Sequence, residues 1–296
     1  MALKDLLGLL GPAIQDPEEE TFLLFSQEIP SQNLGFVDPQ ATAIDLTIGG
    51  KDYTIYQSPT ILNRPGSTTG AVIWKITPLV ASWLSSLDNL LWKTGALSSQ
   101  SSVLELGCGI SGLVGLALSP LVSRYVLTDQ TYVARLVEKN LAENIVPQQR
   151  SSSQKRKGKS SSTANPVNLH FTALDWELDE VTPSLTGSPD VSSFDAVIAC
   201  DCIYNDALIE PLVQTCVDAC GLRQPSQDSQ SDKTVVPTLC VVAQQLRDPE
   251  IFEGWIKEFN KHFRVWRVPE EILSKELRAN TGFVVHIGVL QGTITP

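Results

Sequence analysis

The chain has 296 residues, 42% of them hydrophobic, enough for a sizeable core in one large domain or two modest ones. Its net charge of −11 disfavours a broad nucleic-acid-binding face and suits a basic protein partner. No run approaches the roughly 20 apolar residues of a membrane span, and the opening MALKDLLGLLGPAIQDPEEE turns acidic early, so neither membrane segment nor signal peptide is expected.

The first patterned stretch is IDLTI-GG-KDYTIY, which puts Ile44, Leu46 and Ile48 on one face and a tight turn at Gly49 and Gly50, a β-hairpin. Thr77 and Pro78 are placed to cap and start a helix carrying Leu79, Val80, Trp83, Leu84 and Leu87. SVLEL (102–106) reads as a buried strand running into glycines and a helix that ends near Pro120; YVLTD (125–129) is the next strand. A helix follows with Val133, Leu136, Val137 and Leu141 on one face.

The segment 147–166, with five Lys or Arg among serines, reads as a polar insertion, as does 223–233. Between and after them come LHFTAL, FDAVIAC, a helix over about 207–220, TLCVVA, a helix over about 249–259, FRVWRV and FVVHIGVL. Such alternation implies a mostly parallel sheet covered on both faces, with ligands at the carboxyl ends of its strands. The last two strands are separated by only a short segment, which implies an antiparallel finish. The expected division is an extension with the hairpin over 1–66 and one α/β domain over 67–296.

Cys108, Cys200, Cys202, Cys216, Cys220 and Cys240 sit mostly in apolar segments and are read as reduced thiols of a cytoplasmic chain, the nucleus being the alternative. No CxxC pair joins Cys200, Cys202, Cys216, Cys220 and His262, so no metal site is expected.

The stretch ELGCGISG (105–112) fits two cofactors. Gly107, Gly109 and Gly112 spell the dinucleotide fingerprint GxGxxG; Glu105, Gly107 and Gly109 spell the acid-x-Gly-x-Gly loop of S-adenosylmethionine enzymes. Asp129, 22 positions after Gly107, suits a ribose under either reading. Glu105 tips the balance, being awkward beside a pyrophosphate and favourable near an ammonium and a sulfonium. Each candidate also has a plain structural role open to it: Trp74 and Trp176 as core aromatics, Asp129 and Asp201 as helix caps, Tyr204 as packing.

Four stretches, GAVIW (70–74), LELGCG (104–109), LDWE (174–177) and DCIY (201–204), come in an order that resembles the seven-β-strand methyltransferases, specifically the protein-lysine branch called methyltransferase family 16. The hairpin, the Trp-Lys pair and the basic insertion look most like the fungal ribosomal lysine N-methyltransferase 5 group. The resemblance implies a Rossmann-like seven-stranded, mostly parallel sheet with an antiparallel final strand, and S-adenosyl-L-methionine as cofactor. It places Trp74 at the methionine end, Gly107, Cys108 and Gly109 as a backbone cradle, Asp129 on the ribose, Trp176 against the adenine and the Cys200 backbone along the pocket. Asp201 and Tyr204 become the catalytic candidates, Asp201 orienting a target amine and Tyr204 narrowing its channel.

The implied reaction is methyl transfer to a lysine of a large-subunit ribosomal protein by a monomer. Only the neutral amine can attack, and a reference pKa of about 10.4 leaves roughly one lysine in a thousand neutral near pH 7.4. Other readings share the cofactor half: a chaperone or elongation-factor lysine, a histidine, a small molecule or RNA, or a silent cofactor-binding module. A nicotinamide dehydrogenase is the alternative from another class.

Overall fold

A computed structural model describes residues 2–30, 35–59, 69–145, 168–223 and 236–293. The insertion expected at 147–166, and all but Arg223 of the one at 223–233, lie outside the described residues. Seven strands form the main sheet: β3 (Ser102–Leu106), β4 (Arg124–Asp129), β5 (Leu169–Ala173), β6 (Ala196–Cys200), β7 (Leu239–Gln245), β8 (Phe263–Arg267) and β9 (Phe283–Leu290). Their order is β5-β4-β3-β6-β7-β9-β8. The first five run parallel, and β9 is antiparallel to both β7 and β8. The chain leaves β3 in one direction and returns to β6 on its other side, a Rossmann-like arrangement whose crevice opens beyond the carboxyl ends of β3 and β6.

Strands β3, β6 and β7 are buried at every position, which is why they read as continuous apolar runs. One face of the sheet packs against α3 (Ile76–Ser85), α5 (Leu113–Leu118) and α6 (Ala134–Ile145) through Val80, Leu84, Val114, Val137 and their neighbours. The other packs against α7 (Ile209–Gly221) and α8 (Pro249–His262) through Leu212, Cys216, Phe252 and Trp255. All six cysteines are free and buried.

The N-terminal segment is built into this frame. α1 (Ala2–Leu10) and α2 (Pro17–Phe25) are helices that the hydrophobic pattern did not suggest. For α2 the signal is Asp16-Pro17: Asp16 Oδ1 accepts from Glu18 N at 2.9 Å and Glu19 N at 3.3 Å, and Pro17 opens the first turn. α2 docks on α8 and buries Glu20, whose Oε1 lies 3.0 Å from His286 Nε2 in β9.

The hairpin is β1 (Ala43–Ile48) and β2 (Lys51–Tyr56), with both turn glycines in the left-handed region. Asn140 and Asn144 of α6 bind its open edge as a strand would. Their Oδ1 atoms accept from Tyr56 N and Thr54 N, and their Nδ2 atoms donate to the carbonyls of the same residues, at 2.8 to 2.9 Å. α4 is a single turn, Leu90–Lys93, capped by Asn89.

One start is corrected. α3 begins at Ile76, and Thr77 makes no capping bond; its hydroxyl meets Cys200 instead. Leu87, expected on the buried stripe, lies past the helix end and is exposed.

Candidate cofactor and active site

β3 ends at Leu106, and the chain turns through Gly107 with φ 67°. A Cβ there would fall 2.6 Å from Cys202 Sγ and 3.1 Å from the Trp176 ring, so glycine is required for the space as well as for the conformation. The loop is then pinned by its backbone. Cys108 N donates to Thr128 O at 3.0 Å, Gly109 N to Asp129 Oδ2 at 2.8 Å and Ile110 N to Gly70 O at 2.9 Å. Asp129 also accepts from Gln130 N at 2.7 Å. It therefore braces the glycine loop and caps no helix. Burial raises its pKa, against the pull of those two N–H groups.

Glu105 lies fully buried under the loop and accepts from the Tyr125 hydroxyl at 2.7 Å. Burial pushes its carboxyl up to about 7; the Tyr125 bond opposes this and the Asp129 charge adds to it. Cys108 and Cys200 are also driven well upward by burial, so both are neutral thiols rather than nucleophiles.

Asp201 follows β6 with φ 59°, the one non-glycine residue in the left-handed region among the described residues. Its N–H donates to Ala243 O at 2.7 Å. Both carboxylate oxygens are committed to Arg247: Nη1 donates to Oδ1 at 2.7 Å and Nη2 to Oδ2 at 2.6 Å. Gln245 N adds a third bond, to Oδ1, at 3.2 Å. The helical turn after it is capped by Asn205, not by Asp201. Tyr204 is 44% exposed, and its hydroxyl pairs with Thr69.

Trp74, Glu105, Gly107, Cys108, Gly109, Asp129, Trp176, Cys200, Asp201 and Tyr204 all line one cleft at the carboxyl ends of β3, β4 and β6. A second cavity opens off it, walled by Phe36, Thr69, Trp74, Asp201, Tyr204 and Arg247. Sequence reasoning passed over four residues here. Cys202 closes the cleft behind Gly107, and Gly70 fastens the loop. Arg247 and Phe36 had no local signal, since each reaches the site only through tertiary structure.

The cleft fits S-adenosyl-L-methionine. Gly107 lets the backbone lie against Trp176 where a Cβ would clash, the Trp176 indole N–H is buried without a protein partner among the described residues, and a buried carboxyl lies in the wall.

The profile of the lysine methyltransferase family matches residues 57–225. A Schizosaccharomyces pombe protein named diaminohydroxyphosphoribosylamino-pyrimidine deaminase is 30% identical over 264 residues, covering 89% of this chain and 56% of that protein. Ribosomal lysine N-methyltransferase 5 of Zygosaccharomyces rouxii is 31% identical over 196 residues, 55% of this chain and 59% of that protein. Its namesake in Vanderwaltozyma polyspora is 25% identical over 311 residues, 86% and 92%. The chain thus spans little more than half the length of the first two. Among solved structures, the N-methyltransferase NodS of Bradyrhizobium japonicum WM9, in complex with S-adenosyl-L-homocysteine, is 12% identical over 64% of this chain and 78% of its own, at a TM-score of 0.38. With the family profile spanning more than half of its length, the chain belongs to the lysine methyltransferases, whose cofactor is S-adenosyl-L-methionine.

Proposed function

We propose that this protein methylates a lysine side chain of another protein, a basic protein of the large ribosomal subunit being the favoured target. The observation that carries this reading is the junction of the cofactor cleft with an aromatic-walled cavity at Trp74, Asp201 and Tyr204. In the cleft, the backbone of Gly107, Cys108 and Gly109 would cradle the cofactor, Asp129 its ribose and Trp176 its adenine, with Glu105 and Trp74 at the methionine end. When bound, the cofactor supplies a methyl group on a sulfonium that is already an activated electrophile, so no metal is required.

The protein's task is to present a neutral amine. At pH 7.4 deprotonation of a free lysine costs about 4 kcal/mol. Drawing the amine out of water between aromatic walls lowers this by disfavouring the charged form. Tyr204 narrows the entrance, and alignment of amine and methyl supplies the remaining advantage.

The ribosomal target is supported by the names of the two yeast relatives and by the acidic charge of this chain. The compartment that goes with it is the cytoplasm. No helix among the described residues is long and apolar enough to cross a membrane. A deaminase reading, taken from the fission-yeast relative's name, finds no support. Zinc deaminases use His-x-Glu and Cys-x-x-Cys, and this sequence has neither.

The test is labelled-methyl transfer by the purified protein into extract from cells lacking it, with the product residue identified by mass spectrometry. Label on a lysine of a large-subunit ribosomal protein supports the proposal. Label on a chaperone or elongation-factor lysine moves the target, label on histidine overturns lysine specificity, and a protein that binds cofactor without transfer is a silent module. Thermal stabilisation by a nicotinamide dinucleotide equal to that by S-adenosylhomocysteine would sink the cofactor reading too.

A further inference from the structure

The cavity beside the cofactor cleft has three aromatic walls and one ion pair. Trp74 holds its place through Nε1–H to Thr69 O at 3.0 Å. The Phe36 ring leans on it with centroids 4.7 Å apart, carried there because Val37 N bonds Ile73 O and Lys75 N bonds Gly35 O. The Arg247 guanidinium lies 5.0 Å from the Trp74 ring centre. Gly35 is tight against the same group: a Cβ would meet Arg247 Nη2 at 2.9 Å and Gln245 Oε1 at 2.1 Å. The N-terminal segment and Arg247 thus form one wall.

Three aromatic rings around a slot ordinarily attract a cation. Here the Trp74 face is already taken by a guanidinium. The Asp201 carboxylate, 1% exposed, would otherwise hold an ammonium, but its two oxygens already carry three hydrogen bonds. Both features that would retain a charged amine are therefore neutralised by one residue. Other titratable groups near the slot leave this balance intact. Tyr204, Cys200 and Cys202 are raised by burial and stay neutral, and Glu105, bonded to Tyr125 beneath the glycine loop, titrates at about 7, at the foot of the pH window used below. Asp248 is used as the α8 cap, and Asp129 lies across the cofactor cleft.

We propose that Arg247 is a positioning residue that makes the slot of Phe36, Trp74 and Tyr204 selective for an uncharged alkylamine, by occupying Asp201 and the Trp74 face together. The inference rests on lysine as the methyl acceptor. It departs from the expectation that the Asp201 carboxylate itself takes the amine: Asp201 acts through Arg247.

The probe is n-butylamine, a lysine side chain without its backbone, titrated into protein saturated with S-adenosylhomocysteine and followed by the indole NMR signals. Wild-type affinity should rise about tenfold per pH unit between pH 7 and 9, tracking the free amine of pKa about 10.4. Arg247→Gln should flatten this dependence, because an unpaired carboxylate within about 4–6 Å raises an amine's pKa by roughly 1–3 units. The double variant Arg247→Gln with Asp201→Asn, which leaves only the uncovered Trp74 face to hold a cation, should recover most of the wild-type slope, and Arg247→Lys, which keeps the charge, all of it. The circular dichroism spectrum should stay native throughout, separating this effect from unfolding.

A wild-type affinity independent of pH, no binding of n-butylamine, or a double variant as flat as Arg247→Gln overturns the proposal. If Arg247→Gln fails to fold, Arg247→Met, which fills similar space without the charge, takes its place with the same flattening expected, and an unchanged slope overturns the proposal. Methyl label on histidine in the extract experiment would instead remove the lysine reading on which the proposal rests.

Discussion

The glycine loop after β3 and the N-terminal segment meet at one cleft but are held by different means. The loop is fixed by its own backbone, with N–H groups at 108, 109 and 110 tied to Thr128, Asp129 and Gly70. The N-terminal segment, besides the backbone bonds of Gly35 and Val37, is held by distant side chains: Asn140 and Asn144 on the hairpin edge, His286 on Glu20. A site built from backbone tolerates few substitutions but leaves a local mark in sequence. Attachment by distant side chains leaves no mark at the points of attachment, and can be loosened one residue at a time.

The largest effect is expected at the loop. Gly107→Ala adds a methyl 2.6 Å from Cys202 Sγ in a left-handed conformation, itself worth about 1–2 kcal/mol. S-adenosylhomocysteine binding should fall at least about a hundredfold by calorimetry, a loss of roughly 3 kcal/mol. The circular dichroism spectrum should stay native. Binding close to wild type would mean that the loop does not cradle the cofactor.

Two buried carboxyls sharpen the contrast, because they titrate in opposite senses. Glu105, raised by burial to about 7, binds its proton more tightly folded than unfolded. It therefore removes stability as pH rises from about 4.5 toward 7, by roughly 3 kcal/mol. Glu105→Gln should abolish this loss, so chemical denaturation at pH 8 should find the variant more stable without cofactor and weaker in binding it.

Burial also raises Glu20, but the hydrogen bond and charge of His286, with Arg267, outweigh this and lower its pKa. Its contribution is present above the unfolded value and lost as pH falls through the lower folded one. Glu20→Gln should destabilise the protein at pH 7 and leave cofactor affinity unchanged.

Smaller effects separate the two regions further. Asp129→Ala should weaken cofactor binding by about 1–3 kcal/mol through lost hydrogen bonds, with little change in the hairpin. Asn144→Ala should do the reverse, lowering the melting temperature while sparing calorimetric affinity. Asn140→Ala should disturb both, since Asn140 Nδ2 also donates to Ile110 O at 2.7 Å, inside the loop. Equal effects of the two asparagines on binding would erase the distinction.

Much of the fold was legible because strands buried on both faces are continuous apolar runs, as SVLEL, FDAVIAC and TLCVVA are. The ten candidate residues line one cleft because strand ends and the turns after them converge on the crevice; local pattern marked the glycine loop, Glu105 and Asp129, whereas the family resemblance singled out Trp74, Trp176, Cys200, Asp201 and Tyr204. Arg247 was not: it meets Asp201 only because β6 and β7 pair in parallel and bring their ends together. Phe36 was hidden for the same reason, its strand-like bridge to Trp74 spanning the hairpin. Helix α2 was written in Asp16-Pro17 but masked by a weak apolar stripe, and Thr77 had the right residue type for a cap in a place where Cys200 needed a partner.

Cys108, Cys200 and Cys202, all neutral and buried, line the cleft a cofactor would fill. An alkylating reagent can reach them only when the cleft opens, and a filled cleft denies it entry. Their modification rate is thus a built-in clock for breathing of the active site, readable by mass spectrometry without any engineered label and slowed by bound S-adenosylhomocysteine.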